Sequence, residues 1–335
     1  MSGAVQTPSV RVVVLNWNRS DLTTNCVRSL LATDHPAEAF EVVIVDNGSV
    51  DDSAIVLRSR FPVVRIVENG VNLGFAEGCN RAMRDLDGID LVALVNNDSI
   101  VEPGWLRPLV AAMADPSVGA ACPKVLFLDD SDPPRVNSCG IELTELGEGR
   151  ERRLGEIDDG DSGPSLVEVE AFSGAAVLIR STALAAAGLF DPSYFAYSED
   201  LELSWRMRRL GWRIVCVPEA VTRHLRHGSG SPTSSFFRFV DTRNWLVTTL
   251  RHAPRQTVFA ALQFAVGRTS ASLRGKTEPT WSKATTSGGW ARVWASVFAA
   301  LPSIVAQRLR PVPLGLERAD RVGSRWMPAP RLPTR

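Results

Sequence analysis

Asn16, Asp46, Asn47, Asn96, Asn97 and Asp98 share one trait: they sit where apolar, β-branched runs stop, in VRVVVLN, EVVIVDNGS and LVALVNND. A buried strand-end aspartate can ligate a hard divalent cation through oxygen, and neighbouring amides can hold a base, a ribose or a phosphate. The same residue types are also ordinary turn formers, so position alone leaves both readings open. Further along, SED at 198–200 opens an amphipathic helical pattern. Glu199 and Asp200 there are either proton acceptors for a reacting hydroxyl or first-turn acids favoured by the helix dipole. The aromatic stretch YFAY before them would partly desolvate a carboxylate and tune its basicity. His224 and His227 follow an apolar run over 212–218 and could join a cation or phosphate site, or simply be structural.

The elements that must position these groups follow a regular order. Val10 to Asn16 reads as a strand buried on both faces, and a helical pattern spans Leu22 to Leu31. Strands are expected at 41–49, 63–67 and 91–98, with helices at 52–60 and 75–86 between them. Four alternations of strand and helix argue for a mainly parallel sheet with right-handed crossovers, whose ligands sit at the carboxyl ends of the strands. A helix follows at 103–114 and a strand at 118–128. Residues 129–165, rich in Asp, Glu, Gly and Pro, read as an excursion or flexible loop. Regular structure resumes over 171–180, in helices at 181–187 and 199–210, and in the strand 212–218.

Taken in order, NWN (16–18), VDNGSVDDS (45–53), ENGVNLGFAEGCN (68–80), LVNNDSIVEPGWL (94–106), FSGAAVLIR (172–180), GLFDPSYFAYSEDLELSWRMRRLGW (188–212) and PEAVTRHLRHGS (218–229) resemble family 2 inverting glycosyltransferases. The similarity covers about residues 9–250 and is strongest to the bacterial branch that contains rhamnosyltransferases acting on lipid-linked glycans. It implies an α/β GT-A nucleotide-diphospho-sugar transferase fold, with a catalytic domain over 1–230 and a helical extension over 231–335. By this resemblance Asn16, Asp46 and Asn47 contact the nucleotide, while Asn72, Gly74 and Asn80 lie against the nucleotide sugar. Asn97 and Glu199 join the substrate site, Glu199 by orienting the acceptor. NND at 96–98 stands where the family has DxD, so Asp98 remains as the anionic ligand for Mg²⁺ or Mn²⁺, and His224 completes the metal site. His227 and Ser229 are then phosphate contacts, and Asp200 is the base.

The implied donor is a nucleotide sugar, dTDP-rhamnose ahead of a UDP-hexose, and the implied acceptor a polyprenyl-diphosphate-linked or other glycan. A sugar nucleotidyltransferase would need a Gly-rich, basic loop after its first strand, which NWNRSD does not supply. A non-catalytic nucleotide-sugar-binding module would have no need of Asp98, Asp200 and His224 together.

The chain has 335 residues, of which 44% are hydrophobic, which is enough for a large core and excludes a disordered chain. Five cysteines without CxxC spacing argue for reduced thiols rather than a disulfide or zinc scaffold. The N-terminus lacks a basic region followed by a signal-length apolar run, and no stretch has the ~18 uninterrupted apolar residues of a spanning helix. A cytoplasmic enzyme is expected. The zero net charge conceals a split, −14 over residues 1–222 and +14 over 223–335. The basic third interleaves Trp245, Trp281, Trp290, Trp294 and Trp326, with Phe and Leu, among its Arg, a composition that places aromatics at an anionic membrane surface rather than on nucleic acid, and hence suits peripheral attachment at the inner face of the membrane. Helices that pack on the body and shield its site, or that form a homo-oligomer, would have a similar composition.

Overall fold

The computed structural model describes residues 7–129, 131–160, 166–225, 234–275 and 287–310. The first half alternates as expected: β1 (Val10–Asn16), α1 (Ser20–Leu31), β2 (Phe40–Asp46), α2 (Ser53–Arg60), β3 (Arg65–Glu68), α3 (Gly74–Met83) and β4 (Leu91–Val95). There follow β5 (Ser99–Val101), α4 (Leu106–Ala112), β6 (Val118–Phe127), β7 (Val136–Ser138), β8 (Ile141–Leu143), β9 (Gly149–Glu151), β10 (Val167–Glu168), β11 (Ala176–Arg180), α5 (Ser181–Ala187), α6 (Glu199–Arg209) and β12 (Arg213–His224). The central sheet runs β10-β12-β6-β11-β4-β1-β2-β3, with β5 on β12 and β7 on β6. β3, β2, β1 and β4 are parallel to one another, and β11 enters antiparallel between β4 and β6.

Period-two side chains explain why the strands need two covered faces. Val10, Val12, Val14, Val42 and Ile44 pack with Val27 and Leu30 of α1, Leu57 of α2, and Leu106 and Leu109 of α4. Val13, Val43, Val45, Val92 and Leu94 point the other way, onto Ala76 and Met83 of α3, Leu184 of α5 and Met207 of α6. All five cysteines are free and buried.

Two expectations need correction. The region 129–165 is not a flexible loop over its described part: β7 joins the central sheet, and β8 and β9 form an antiparallel hairpin. The last strand also runs past residue 218, because a register shift between Val217 and Val221 lets β12 continue along β6 to His224.

The C-terminal helices α7 (Ser235–His252), α8 (Arg255–Leu273), α9 (Ser287–Ala299) and α10 (Leu301–Leu309) build a third core around Trp245, Leu246, Val247, Trp290 and Val293. Tyr194, from the segment between α5 and α6, is part of that core. Full burial of a Leu or Val side chain stabilises by roughly 1.5–3 kcal/mol, so several together seat the bundle firmly on the body. Trp245 and Trp290 are therefore unavailable as interfacial anchors, contrary to their reading from composition. Trp281 and Trp326 lie outside the described residues.

Candidate active site

The carboxyl ends of β1, β2 and β4 meet in one polar network. Asn16 donates from Nδ2 to Asp46 Oδ1 (2.8 Å) and accepts from Thr23 Oγ1 (2.7 Å). Asn97 in turn donates to Thr23 (3.1 Å), and Ser49 donates its hydroxyl to Asp46 (2.6 Å). Asn47 ties the next loop down, donating to Asn72 Oδ1 (3.0 Å) and Gly74 O (3.1 Å) while accepting from Asn69 Nδ2 and Leu73 N. Gly74 has φ +78°, and a Cβ there would lie 2.4 Å from Phe195 O, so glycine is the residue that lets α3 approach this segment.

A cleft of about 1350 Å³ opens above this network. Of the predicted residues, Asn47, Asn72, Gly74, Asn97, Asp98, Glu199, Asp200 and His224 line it. Asn16, Asp46 and Asn80 do not; their side chains face protein partners. Asn80 clamps the Phe190 backbone by donating to its carbonyl (2.9 Å) and accepting from its N–H (3.1 Å). These three shape the floor and its supports. His227 and Ser229 lie outside the described residues.

Asp98 follows the turn after β4, and β5 then pairs with the end of β12, setting His224 opposite Ser99. Both side chains are nearly buried, with His224 Nε2 3.1 Å from Asp98 Oδ1. Asn137 of β7 stands 3.4 Å from the other ring nitrogen, Nδ1. The Nε2 atom of His224 and the Asp98 carboxylate are both donor atoms that a hard divalent cation accepts. Among the described residues no group of three or more His, Cys, Asp or Glu side chains converges on a cation. Asp98 and His224 thus fit a divalent ion that takes its other ligands from substrate phosphate and water.

The second pair of acids opens α6. Asp200 accepts from Gly174 N at Oδ2 (2.9 Å) and from Leu201 N at Oδ1 (2.7 Å). Glu199 is buried, with Oε2 lacking a hydrogen-bond partner among the described residues. Burial, and then the adjacent Asp200, push the Glu199 carboxyl well up, while burial also raises Asp200 against the opposing pull of its backbone N–H donors. Both carboxyls are thus raised, and Asp200 differs from Glu199 in keeping two backbone N–H donors that favour its ionised form. A Cβ at Gly174, in the stretch FSGAA, would stand 3.1 Å from Asp200 Oδ2, so glycine lets the carboxylate come close to this backbone.

The match to the Glycosyltransferase like family 2 model runs over residues 8–248. The chain belongs to this family. It is 30% identical over 250 residues to N-acetylglucosaminyl-diphospho-decaprenol L-rhamnosyltransferase of Mycobacterium tuberculosis, a match covering 67% of this chain and 78% of that one. Among solved structures it resembles GalNAc-T7 bound to UDP, GalNAc and Mn²⁺, with TM-score 0.61 and 13% identity over 92% of this chain and 59% of that one. It also resembles the mannosyltransferase of Pyrobaculum calidifontis in complex with GDP-Man and Mn²⁺, with TM-score 0.55 and 18% identity over 89% and 88%. These structural likenesses show the GT-A glycosyltransferase fold.

The remaining walls of this glycosyltransferase's cleft come from the 129–165 region and from the C-terminal helices, for which packing on the body was one of the expectations. Ile141, Glu142 and Glu148 to Glu151 of the β8–β9 region form one side, and Phe236, Phe237, Asp241 and Trp245 of α7 another. Alternation in GIELTELGEGRE, with Gly147 at φ +74° in its turn, was the available hairpin signal beneath the charge. The lining is acidic among the described residues: Asp98, Glu142, Glu148, Glu151, Glu156, Glu199, Asp200 and Asp241 face Arg150, Arg153 and His224. Such a cleft repels a bare diphosphate, which adds to the case for a cation at Asp98 and His224.

Proposed function

We propose that this enzyme transfers L-rhamnose from dTDP-rhamnose, with inversion, to a hydroxyl of a polyprenyl-diphosphate-linked glycan at the inner face of the membrane. The observation that carries the reading is one cleft lined both by Asp98 beside His224 and by two adjacent buried carboxyls, Glu199 without a partner at Oε2 among the described residues and Asp200 held by two backbone N–H groups. The rhamnosyl group and the polyprenyl acceptor are supported by the name of the mycobacterial relative.

Asp200 takes the proton from the acceptor hydroxyl as that oxygen attacks the anomeric carbon from the face opposite the leaving group. The anomeric C–O bond breaks, and its electron pair leaves with the nucleoside diphosphate. Glu199, protonated, orients the acceptor by donating a hydrogen bond. Asp98 and His224 would hold Mg²⁺ or Mn²⁺, which would supply charge neutralisation for the leaving diphosphate. Asn47, Asn72, Gly74 and Asn97 form the polar lining around the donor. The decisive assay offers dTDP-rhamnose, UDP-galactofuranose, UDP-glucose and UDP-GlcNAc with Mg²⁺ or Mn²⁺, with and without EDTA. Transfer from dTDP-rhamnose that EDTA abolishes and metal restores is expected. Preferential transfer from a UDP-hexose overturns the donor, and full activity in EDTA overturns the metal.

Membrane attachment rests on residues other than the tryptophans. Among the described residues, no single helix is long and apolar enough to cross a membrane. Residues 255–275 and 287–310 contain six Arg and no Asp or Glu. They also expose Phe259, Val266 and Leu273, seven residues apart on α8, together with Phe298, Leu301, Val305 and Leu309 on α9 and α10. Arginine with exposed apolar side chains suits an anionic leaflet. The enzyme is expected to co-sediment with vesicles containing anionic lipid, less so in high salt, and the triple change Phe259→Gln, Val266→Gln, Leu273→Gln is expected to weaken this at least about tenfold, ~1.4 kcal/mol. Equal binding to neutral vesicles, or no effect of the triple change, rejects the docking.

A further inference from the structure

The segment that delivers the carboxylate pair is held in a conformation that its residues disfavour. Phe195, Tyr197 and Ser198 have φ of +63°, +69° and +64°, the left-handed region, and none is glycine. Glu199 follows immediately as the first residue of α6. Turning the chain this way aims three carbonyls at one buried place, where they repel one another unless a donor stands between them.

That donor comes from α7. Asn244 is fully buried, and its Nδ2 lies 3.0 Å from Tyr194 O, 2.9 Å from Ala196 O and 2.7 Å from Tyr197 O. Its Oδ1 accepts from Arg243, whose guanidinium also donates to Ser193 O. On the other side, Ala76 N donates to Phe195 O (3.1 Å) beside Gly74. The turn is thus gripped between the first turn of α3, at the donor wall, and a helix of the C-terminal extension.

We propose that Asn244 is a positioning residue: it holds the strained 195–198 turn so that Asp200 reaches its Gly174 and Leu201 N–H donors and faces the acceptor. This makes α7 part of the catalytic apparatus. The proposal rests on the reading of Asp200 as the base. An amide suits the position because it combines a double donor with an acceptor for Arg243. Aspartate keeps the shape but turns lone pairs toward the carbonyls.

The test is Asn244→Asp, with Ser198→Gly as its rescue, since glycine adopts the left-handed conformation without restraint. Misplacing a base by an ångström costs on the order of a hundredfold in rate. Asn244→Asp is therefore expected to lower kcat per folded enzyme roughly 10- to 100-fold, to leave nucleotide Kd within about twofold, and to displace the acid limb of the pH profile. Asn244→Asp with Ser198→Gly is expected to recover at least about fivefold of that loss. Unchanged kcat and a superimposable pH profile overturn the proposal, as does a lowered Tm without either effect. Should Asn244→Asp not fold, Asn244→Ser, which retains one hydroxyl donor, replaces it with the same criteria and a smaller loss. Hydrogen exchange over 194–201 separates this proposal from the functional reading. Faster exchange in the variant supports the clamp even if no donor tried is a substrate, and unchanged exchange overturns it whatever the activity.

Discussion

Replacing Glu202 by Gln is expected to destabilise the protein by about 3–5 kcal/mol near neutral pH, the usual consequence of removing one partner from a buried ion pair. Glu202 is 1% exposed, one turn into α6, and its carboxylate meets Arg206 (2.8 Å), His252 Nε2 (3.1 Å) and Arg251 (3.8 Å). Burial alone would raise its pKa, but Arg206 and His252 together outweigh that and hold the carboxyl at about 2. Arg251 also pairs with Asp191 (2.7 Å), and Arg206 donates to the carbonyls of Ala187, Gly188 and Leu189. Without the carboxylate, Arg206 loses its buried counter-charge and Arg251 keeps only Asp191.

The pH dependence has a definite sign. A carboxyl whose folded pKa is depressed contributes stability that is fully present above its unfolded value and is lost as pH falls through the folded one. The difference between wild type and Glu202→Gln should therefore be constant above about pH 5 and shrink as pH falls toward about 2, as followed by urea unfolding. A difference below about 1 kcal/mol, or one that does not change with pH, contradicts the assignment. The same network makes deletion after residue 250 a poor probe of membrane binding, because it removes Arg251 and His252 from Glu202 and exposes the third core.

The strands could be read because β1, β2 and β4 are nearly pure runs of Val, Leu and Ile, a pattern that only a sheet covered on both faces accommodates. Their polar ends could be read for the same reason, since Asn16, Asp46 and Asp98 interrupt those runs abruptly. Which of them faces the cleft could not. Asn16 and Asn80 are the same residue type as Asn47, and only the fold decides whether an amide meets Asp46, the Phe190 backbone or the cleft. His224 was found while its strand was cut short, because Pro218 and Glu219 look like an ending and are instead absorbed at the irregularity between Val217 and Val221. Trp245 and Trp290 show the ambiguity of composition. Aromatics among arginines suit a lipid interface, but also a small helical bundle that caps an enzyme, and contact with Tyr194 and Leu146 decides for the second. Asn244 and His252 act on residues about fifty positions earlier in the chain, and no local pattern announces such partners.

Asp200→Asn is expected to lower kcat by ~10²- to 10⁴-fold, the contribution general base catalysis ordinarily makes. Its effect should fall on the transition state alone, because the proton acceptor is needed only while the acceptor oxygen attacks. Nucleotide binding, which the proposed function assigns to groups other than Asp200, should stay within about twofold. Glu199→Gln is the informative contrast. Burial and the neighbouring Asp200 raise the Glu199 carboxyl, and in the proposed role it donates as an acid, so a neutral amide of the same shape should keep most of the rate. Asp200 is also raised by burial, so wild-type kcat/KM should climb with pH as it ionises, and this limb should vanish in Asp200→Asn.

The central claim is that Asp200, and not Glu199, takes the proton. Its most direct test is single-turnover transfer by wild type, Asp200→Asn and Glu199→Gln with the best donor, metal present, alongside calorimetric titration of each with the nucleoside diphosphate. The account predicts loss of at least a hundredfold in rate for Asp200→Asn with Kd unchanged, and less than about tenfold for Glu199→Gln. Retention of more than about a tenth of the wild-type rate by Asp200→Asn, or a larger loss in Glu199→Gln than in Asp200→Asn, would contradict it.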